Sequence, residues 1–160
     1  MGAPHSRHAV PAGYRRGTPR HLALHPGQDE GFDYDKGDWD DVREMGFDLV
    51  PTDEVRELGI PSMIDRIREQ TDGAKVHVSF DVDFVDPAYA PGTGTPEIGG
   101  FTSREAQEFV RGPAGLEIVG YDVMEGYPAY NHAQITALLA ANLAHEALCL
   151  IAFSKKTGKA

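Results

Sequence analysis

Short apolar runs alternate with helical segments from about residue 47 to the end of the chain. Runs rich in β-forming residues predict strands; they lie at 47–50, 75–81 and 116–123. Apolar positions near helical spacing, with suitable starts and stops, predict helices; they lie at 61–70, 102–110 and 132–153. The second helix opens on Thr102-Ser-Arg-Glu105, which fits a capping box. Strands alternating with helices predict an α/β fold with a mostly parallel sheet, whose ligands gather at the carboxyl ends of its strands.

The start of the chain differs from the rest in charge and pattern. Residues up to Arg20 include basic side chains but no acid, and glycine and proline interrupt any apolar period. We therefore expect residues 1–28 to be a flexible basic arm, 29–154 to be the folded part and 155–160 to be a tail. The acidic run from Asp29 to Asp72 is expected to be a solvated loop and helix surface.

Composition narrows the classes of function. The net charge of −10 argues against a nucleic-acid partner, whose binding face is normally basic. The single cysteine, Cys149, excludes an internal disulfide and favours a reducing, cytoplasmic location. No apolar block follows the start, so no signal peptide is expected. The apolar stretch from Ile135 to Phe153 is interrupted by polar residues, which favours a buried helix over a membrane span.

Acidic residues alternate where the strand 75–81 ends, in Asp81-Val-Asp83-Phe-Val-Asp86-Pro. Residues two apart on an extended chain point the same way, so Asp81 and Asp83 are expected to reach one site. Two converging carboxylates repel each other, and a bound cation or a shared proton relieves the repulsion. Oxygen ligands suit Mg²⁺, Ca²⁺ or Mn²⁺.

Other interpretations of this pair remain open on spacing alone. The two acids could instead cap backbone amides in a turn, and Asp86 before Pro87 is expected to form a turn rather than to bind metal. An EF-hand is excluded because its glycine and distal glutamate are missing. The pair resembles the nucleophile motif of haloacid-dehalogenase-type phosphatases, but it lies far from the start of the domain and lacks a suitable later lysine.

The continuation of the motif points to one family. Ala90 to Glu97 reads Ala-Pro-Gly-Thr-Gly-Thr-Pro-Glu. With the preceding acids and Asp-Pro, it resembles the signature of the manganese-dependent ureohydrolases, the arginase and agmatinase family, and is nearer to the agmatinase form. The resemblance implies a three-layer α/β/α domain and a binuclear Mn²⁺ cluster with Asp81 and Asp83 among its ligands. It also implies catalysis by metal-bound hydroxide, a substrate-lining loop containing Thr95, and trimers or hexamers.

A second motif follows the strand 116–123. Gly120-Tyr-Asp-Val-Met-Glu125-Gly126-Tyr-Pro resembles the family segment that ends in a substrate-binding glutamate, which implies that Glu125 binds the guanidinium group. A carboxylate suits that group because two parallel N–H bonds can reach it. Gly126 departs from the β-branched residue usual there. His132 and His145 are expected to cap or to pack rather than to bind metal.

The resemblance covers about residues 32–153, roughly the second half of the family domain. The family's Gly-Gly-Asp-His and Asp-Ala-His-x-Asp segments, which supply four of the usual six metal ligands, do not occur in this sequence. The expectation is a partial domain that is inactive or weakly active alone, acting by descent on a guanidino compound, most of all agmatine. The alternative is a non-catalytic assembly or regulatory subunit of the same family.

Overall fold

The computed structural model describes residues 21–25, 38–71 and 73–157. Within these ranges the chain forms four strands and five α-helices. The strands are β1 (His21–His25), β2 (Phe47–Pro51), β3 (Lys75–Asp81) and β4 (Glu117–Met124). The helices are α1 (Asp38–Glu44), α2 (Thr52–Leu58), α3 (Ile60–Thr71), α4 (Ser103–Arg111) and α5 (Ile135–Thr157). The predicted strands and helices are all confirmed.

The strands pair in two parallel ribbons. β1 pairs with β2 from His21 opposite Phe47 onward. β3 pairs with β4 from Lys75 opposite Glu117, with a register shift between Val76 and His77. Both pairs are parallel, as the alternation of strands and helices predicts.

Packed aromatic rings form the centre of the core beside the end of β3. Phe84 stacks on Phe101 with ring centroids 4.2 Å apart, and Phe109 of α4 meets both rings edge-on. The predicted capping box fixes the start of α4, because the Thr102 hydroxyl accepts from Glu105 N and the Glu105 carboxylate accepts from Thr102 N. The fixed start of α4 therefore determines where Phe109 enters the core.

α5 packs against β4 and α4 with one face only. Leu139, Leu143 and Ala147 are buried in the core, whereas Leu138 and Leu148 are 68% and 65% exposed. The segment His132–Lys156 is long and apolar enough to cross a membrane, with 22% of its most apolar window buried. The expectation of a buried helix thus holds for one face of α5. The core helix of a protein without a membrane span can be equally long and apolar. The length and composition of α5 are therefore weak evidence that it crosses a membrane.

Both ends of the chain contain more structure than expected. β1 lies inside the segment 1–28 that is predicted to be a flexible arm; its five residues are too few to show a period. The rest of that segment lies outside the described residues. α5 runs to Thr157, past the boundary at 154, and Ser154 is still buried. The acidic region contains α1 and α2, and two of its acids, Asp48 and Glu54, bind Arg66 of α3.

Candidate functional site

Asp81 and Asp83 meet in a way that differs from the expected alternation. β3 ends at Asp81, and Val82–Phe84 form one turn of 3₁₀ helix, so Asp83 does not continue the extended strand. The Asp81 carboxylate caps this turn by accepting from Asp83 N at 2.8 Å. The capping interpretation is therefore correct for Asp81, and the turn keeps the two acids close together.

Asp83 is held in a buried position. It is 5% exposed, and the Thr95 hydroxyl donates a hydrogen bond to its Oδ2. Its other oxygen, Oδ1, has no hydrogen-bond partner among the described residues. Burial raises the pKa of Asp83 above its ordinary value, although the bond from Thr95 acts in the opposite direction. One carboxylate oxygen is thus fixed by the protein and the other is free for a ligand.

The carboxylate of Asp81 is also destabilised. The residue is exposed, but the surrounding protein partly desolvates its carboxyl group, and this raises the pKa of Asp81. The negative charges of Asp83 and Glu125 raise it further. Converging acids with raised pKa values favour either a proton or a cation between them.

Glu125 joins this group from the end of β4. Its charge raises the pKa of both Asp81 and Asp83, so the structure brings the three predicted acids into one electrostatic neighbourhood. Its backbone φ is +59°, a left-handed conformation that is uncommon for a glutamate. Gly126 next to it pairs with Thr93 in an antiparallel bridge, and Tyr127 N donates to Gly92 O at 2.8 Å. These backbone contacts tie the Glu125 turn to the loop that carries Thr95.

The loop from Pro87 to Gly100 is anchored at both ends. Asp86 N donates to Phe101 O at 2.9 Å and Phe101 N donates to Phe84 O at 3.0 Å. The Asp86 carboxylate accepts from Ala88 N and Gly99 N, both at 2.8 Å, and these bonds lower its pKa. Asp86 therefore forms the turn, as predicted, and also pins the far end of the loop.

Arg56 is a loop anchor that sequence reasoning missed. Its guanidinium donates to Gly99 O at 2.5 Å and Gly100 O at 2.9 Å, and lies 4.8 Å from the centre of the Phe101 ring. It comes from α2, 43 residues before Gly99, so no local pattern reveals the contact.

The predicted histidines have no role in this site. His132 and His145 are both exposed, and His145 contacts Cys149. The expected capping is done by Asn131 instead, whose side chain accepts from Thr136 N at 3.0 Å. Thr136 in turn binds Gly92 N through its hydroxyl at 2.7 Å, which attaches the loop to the start of α5.

The oxygen atoms of this site are of the kind that hard cations prefer, but the described residues offer too few of them for a complete metal site. Carboxylate oxygens with raised pKa values, and the free Oδ1 of buried Asp83, suit Mn²⁺ or Mg²⁺. However, no cluster of three or more metal-binding side chains occurs within 21–25, 38–71 and 73–157. The site in the described residues is therefore a set of two candidate metal ligands beside a third acid.

The fold and the three acids define an α/β protein that places carboxylates at the ends of parallel strands. The sequence profile of the Arginase family matches residues 11–150, and the chain belongs to that family. The match begins well before residue 32, where the resemblance was expected to start, and includes β1. The expected family and its arginase-like α/β fold are both confirmed.

Individual relatives agree with the family assignment. The chain is 42% identical over 118 residues to the guanidinobutyrase of Pseudomonas aeruginosa, matching 74% of this chain and 37% of that protein. It is 46% identical over 108 residues to the mitochondrial agmatinase of Gallus gallus, matching 68% and 32%. The structure of proclavaminate amidino hydrolase from Streptomyces clavuligerus aligns with a TM-score of 0.71 at 43% identity, over 77% of this chain and 41% of the other. The chain thus spans less than half the length of each.

Proposed function

We propose that this chain supplies half of the active site of a manganese-dependent hydrolase that releases urea from a guanidino compound, most of all agmatine. The observation that carries the proposal is the position of Asp81, Asp83 and Glu125 where two adjacent parallel strands end: Asp81 lies opposite Met124, the residue before Glu125, and its carboxylate accepts from Asp83 N. Membership of the Arginase family supports the same reaction class. It also removes the basis for the phosphatase interpretation.

Each acid has a separate task in this proposal. Asp81 and Asp83 would hold Mn²⁺ through their carboxylates, with Thr95 fixing the orientation of Asp83. A bound metal pair supplies a nucleophile near neutral pH by lowering the pKa of bound water. Glu125 binds the planar guanidinium through two parallel N–H bonds and presents its carbon to the site.

The proposed activity needs more ligands than this chain offers in its described part. Two carboxylates and water hold Mn²⁺ weakly, because tight sites for such cations collect more protein oxygens. We therefore infer that the isolated chain is inactive or only weakly active. The shortage of ligands also favours the second candidate, a non-catalytic subunit of the family, whereas three converging acids favour catalysis.

The names of the relatives leave several guanidino substrates in contention. They include a guanidinobutyrase, a guanidinopropionase and agmatinases, at identities between 41% and 46%. Agmatine heads the proposal because the segment Ala90 to Glu97 is nearer to the agmatinase form; guanidinobutyrate, guanidinopropionate, arginine and formimidoylglutamate are the competitors.

The test uses a chimera in which this chain replaces the matched region of Pseudomonas aeruginosa guanidinobutyrase. We expect Mn²⁺-dependent urea release from agmatine or another guanidino compound. Asp83→Ala and Glu125→Gln should lower the rate at least a hundredfold, and Asp53→Ala, an exposed acid on α2, should leave it unchanged. The chain alone should release little or no urea.

Two results would contradict the proposal. A folded chimera that binds Mn²⁺ and releases no urea from any of these substrates would favour the non-catalytic subunit. Full activity of the isolated chain, lost in Asp83→Ala, would show that the proposed shortage of ligands is mistaken.

A further inference from the structure

The exposed face of α5 carries two metal-binding side chains that the proposed reaction does not use. His145 and Cys149 lie one helical turn apart, and both are exposed. Residues four apart on a helix lie on the same face, so the two side chains are neighbours on the surface. The Nε2 atom of His145 lies 3.7 Å from the Sγ atom of Cys149.

The distance between these two atoms matches the spacing of two ligands on one zinc ion. A tetrahedral Zn²⁺ with Zn–S of ~2.3 Å and Zn–N of ~2.0–2.1 Å holds the two donor atoms roughly 3.6 Å apart. The sulfur and the ring nitrogen are therefore already placed to bind the same ion with little rearrangement. The pair also suits zinc chemically, because Zn²⁺ takes sulfur and nitrogen ligands whereas Mn²⁺ prefers oxygen.

Among the described residues, the side chains around this pair offer the ion no third ligand. The side chain of Asn142, one turn earlier, accepts a hydrogen bond from Gln107 at 2.6 Å. The carboxylate of Glu146 accepts two hydrogen bonds from Arg111, at 2.5 and 3.0 Å. No cluster of three or more metal-binding side chains occurs in the part of the chain that the structure describes. A four-coordinate ion at this position therefore takes two ligands from outside these residues.

A second copy of the chain offers the two missing ligands in the right number and kind. A two-fold axis through the metal brings an identical thiolate and imidazole to the same ion, which gives the S₂N₂ set typical of zinc. The surrounding surface suits such a contact, because Leu138, Leu148 and Phe153 are each at least 60% exposed. Leu138 and Phe153 lie on the same stripe of the helix as the two ligands, two turns before and one turn after them. Water in place of the second copy would leave this apolar surface uncovered.

We propose that His145 and Cys149 form half of a zinc site, which the same pair of a second copy completes. Zn²⁺ replaces the proton of each thiol, which passes to solvent, and binds each neutral imidazole through Nε2. The metal thereby links two α5 helices across their exposed faces. This site goes beyond the proposed reaction and shares no residue with its three acids, so it can be tested without that reaction.

The experiment titrates the full chain with Co²⁺, a spectroscopic substitute for Zn²⁺, with a phosphine reductant present to prevent disulfides. A Co²⁺–thiolate bond produces a charge-transfer band in the near ultraviolet, and Cys149 is the only cysteine of the chain that can produce it. We expect the band to saturate at one Co²⁺ for every two chains and to disappear when Zn²⁺ displaces Co²⁺. Sedimentation velocity should show that Zn²⁺ tightens dimer formation at least tenfold and that a chelator reverses the effect.

Three variants assign the ligands. Cys149→Ser should abolish the band. His145→Ala should weaken Co²⁺ binding at least tenfold and remove the effect of Zn²⁺ on the dimer. His132→Ala removes another exposed histidine, which lies before the start of α5, and should change neither readout. All three substitutions are at exposed positions, so each variant should fold, and circular dichroism checks this.

Three results would overturn the proposal. The first is a folded, reduced chain that shows no thiolate band with Co²⁺. The second is a band that His145→Ala leaves unchanged, which would show that the imidazole is not a ligand. The third is saturation at one Co²⁺ per chain with no effect of Zn²⁺ on the dimer, which would show that water rather than a second copy completes the site. Urea release is not measured in any of these experiments, so failure of the proposed reaction would be seen separately.

Discussion

Individual glycines in the loop between β3 and α4 differ in what a side chain would meet. A Cβ on Gly100 would lie 2.6 Å from Asp86 N and 2.9 Å from Phe84 O, both of them backbone atoms. A Cβ on Gly94 would meet nothing within 4 Å, and its φ is not in the left-handed range. The loop therefore needs glycine for close backbone approach at one position and not at the other.

This difference gives a matched test of the loop's anchoring. Gly100→Ala should lower the free energy of unfolding by about 1–3 kcal/mol, because the backbone must move to admit the methyl group. Gly94→Ala should change it by less than about 0.5 kcal/mol. Chemical denaturation of both variants measures the two effects. Equal losses would show that the close contacts at Gly100 do not constrain the loop.

The identity of the acids was predictable at this scale, but their geometry was not. Alternation along a strand predicts that Asp81 and Asp83 converge, and they do lie together. The 3₁₀ turn that achieves this buries Asp83 and makes Asp81 its cap. Thr95 and Asp83 are 12 residues apart, and the hydrogen bond between them depends on the path of the loop that joins them. No local sequence pattern predicts that path. The substrate-binding role of Thr95 stays a prediction. In the structure its hydroxyl donates a hydrogen bond to Asp83.

At the scale of elements, an ion-pair cluster joins β2, α2 and α3. Arg66 of α3 donates two hydrogen bonds to Asp48 Oδ2 and one to Oδ1, at 2.6–3.0 Å, and donates to Glu54 of α2 at 2.7 Å. About a third of the Arg66 side chain is exposed. A planar guanidinium can bind Asp48 through two N–H groups side by side and reach Glu54 with a third, whereas the compact ammonium of lysine lacks this bidentate geometry.

Arg66→Lys should therefore destabilise the chain although it keeps the charge. We expect a loss of about 1 kcal/mol in the free energy of unfolding, a modest value because water screens the partly exposed cluster. Arg104→Lys is the control, since Arg104 makes a single exposed pair with Glu108 four residues along α4, and should cost less than about 0.5 kcal/mol. Thermal melts at low and high salt compare the two. A cluster that contributes nothing would give indistinguishable melting curves for the two variants.

Elements were predictable where the period was long and the ends were marked. The α4 capping box and Gly73 after α3, with its φ of +73°, gave local signals that agree with the structure. The sequence signals for β1 and α2 are weaker. β1 has only five residues, and α2 lies in an acidic run whose charges suggest solvated surface. The pairing of β1 with β2 and of β3 with β4 is a long-range property, so only the parallel sense could be predicted.

The whole molecule shows two surfaces that an isolated domain would normally cover. One is the cavity of about 530 Å³ beside β3, which residues 76–81 help to line. The other is the outer face of α5, where Leu138, Leu148 and Phe153 are each at least 60% exposed. Exposed apolar side chains that are aligned on one helix face mark a site of contact with protein or membrane. The chain also spans less than half the length of the guanidinobutyrase and the agmatinase that it matches. The sequence predicts an incomplete metal site. These two surfaces show that part of the apolar surface is also left uncovered.

The two faces of α5 predict opposite effects of substitutions on neighbouring turns of one helix. Leu143 is fully buried, and Leu143→Ala should lower the free energy of unfolding by about 2–5 kcal/mol because it leaves a cavity in the core. Leu138→Gln replaces a side chain that is 68% exposed, so stability should change by less than about 0.5 kcal/mol. Leu138→Gln should instead reduce self-association of the isolated chain, because less apolar surface remains exposed. Chemical denaturation and sedimentation velocity measure the two properties separately. A large loss of stability in Leu138→Gln would mean that the outer face of α5 is packed within the chain itself, and the molecule would then be more complete than its exposed surfaces indicate.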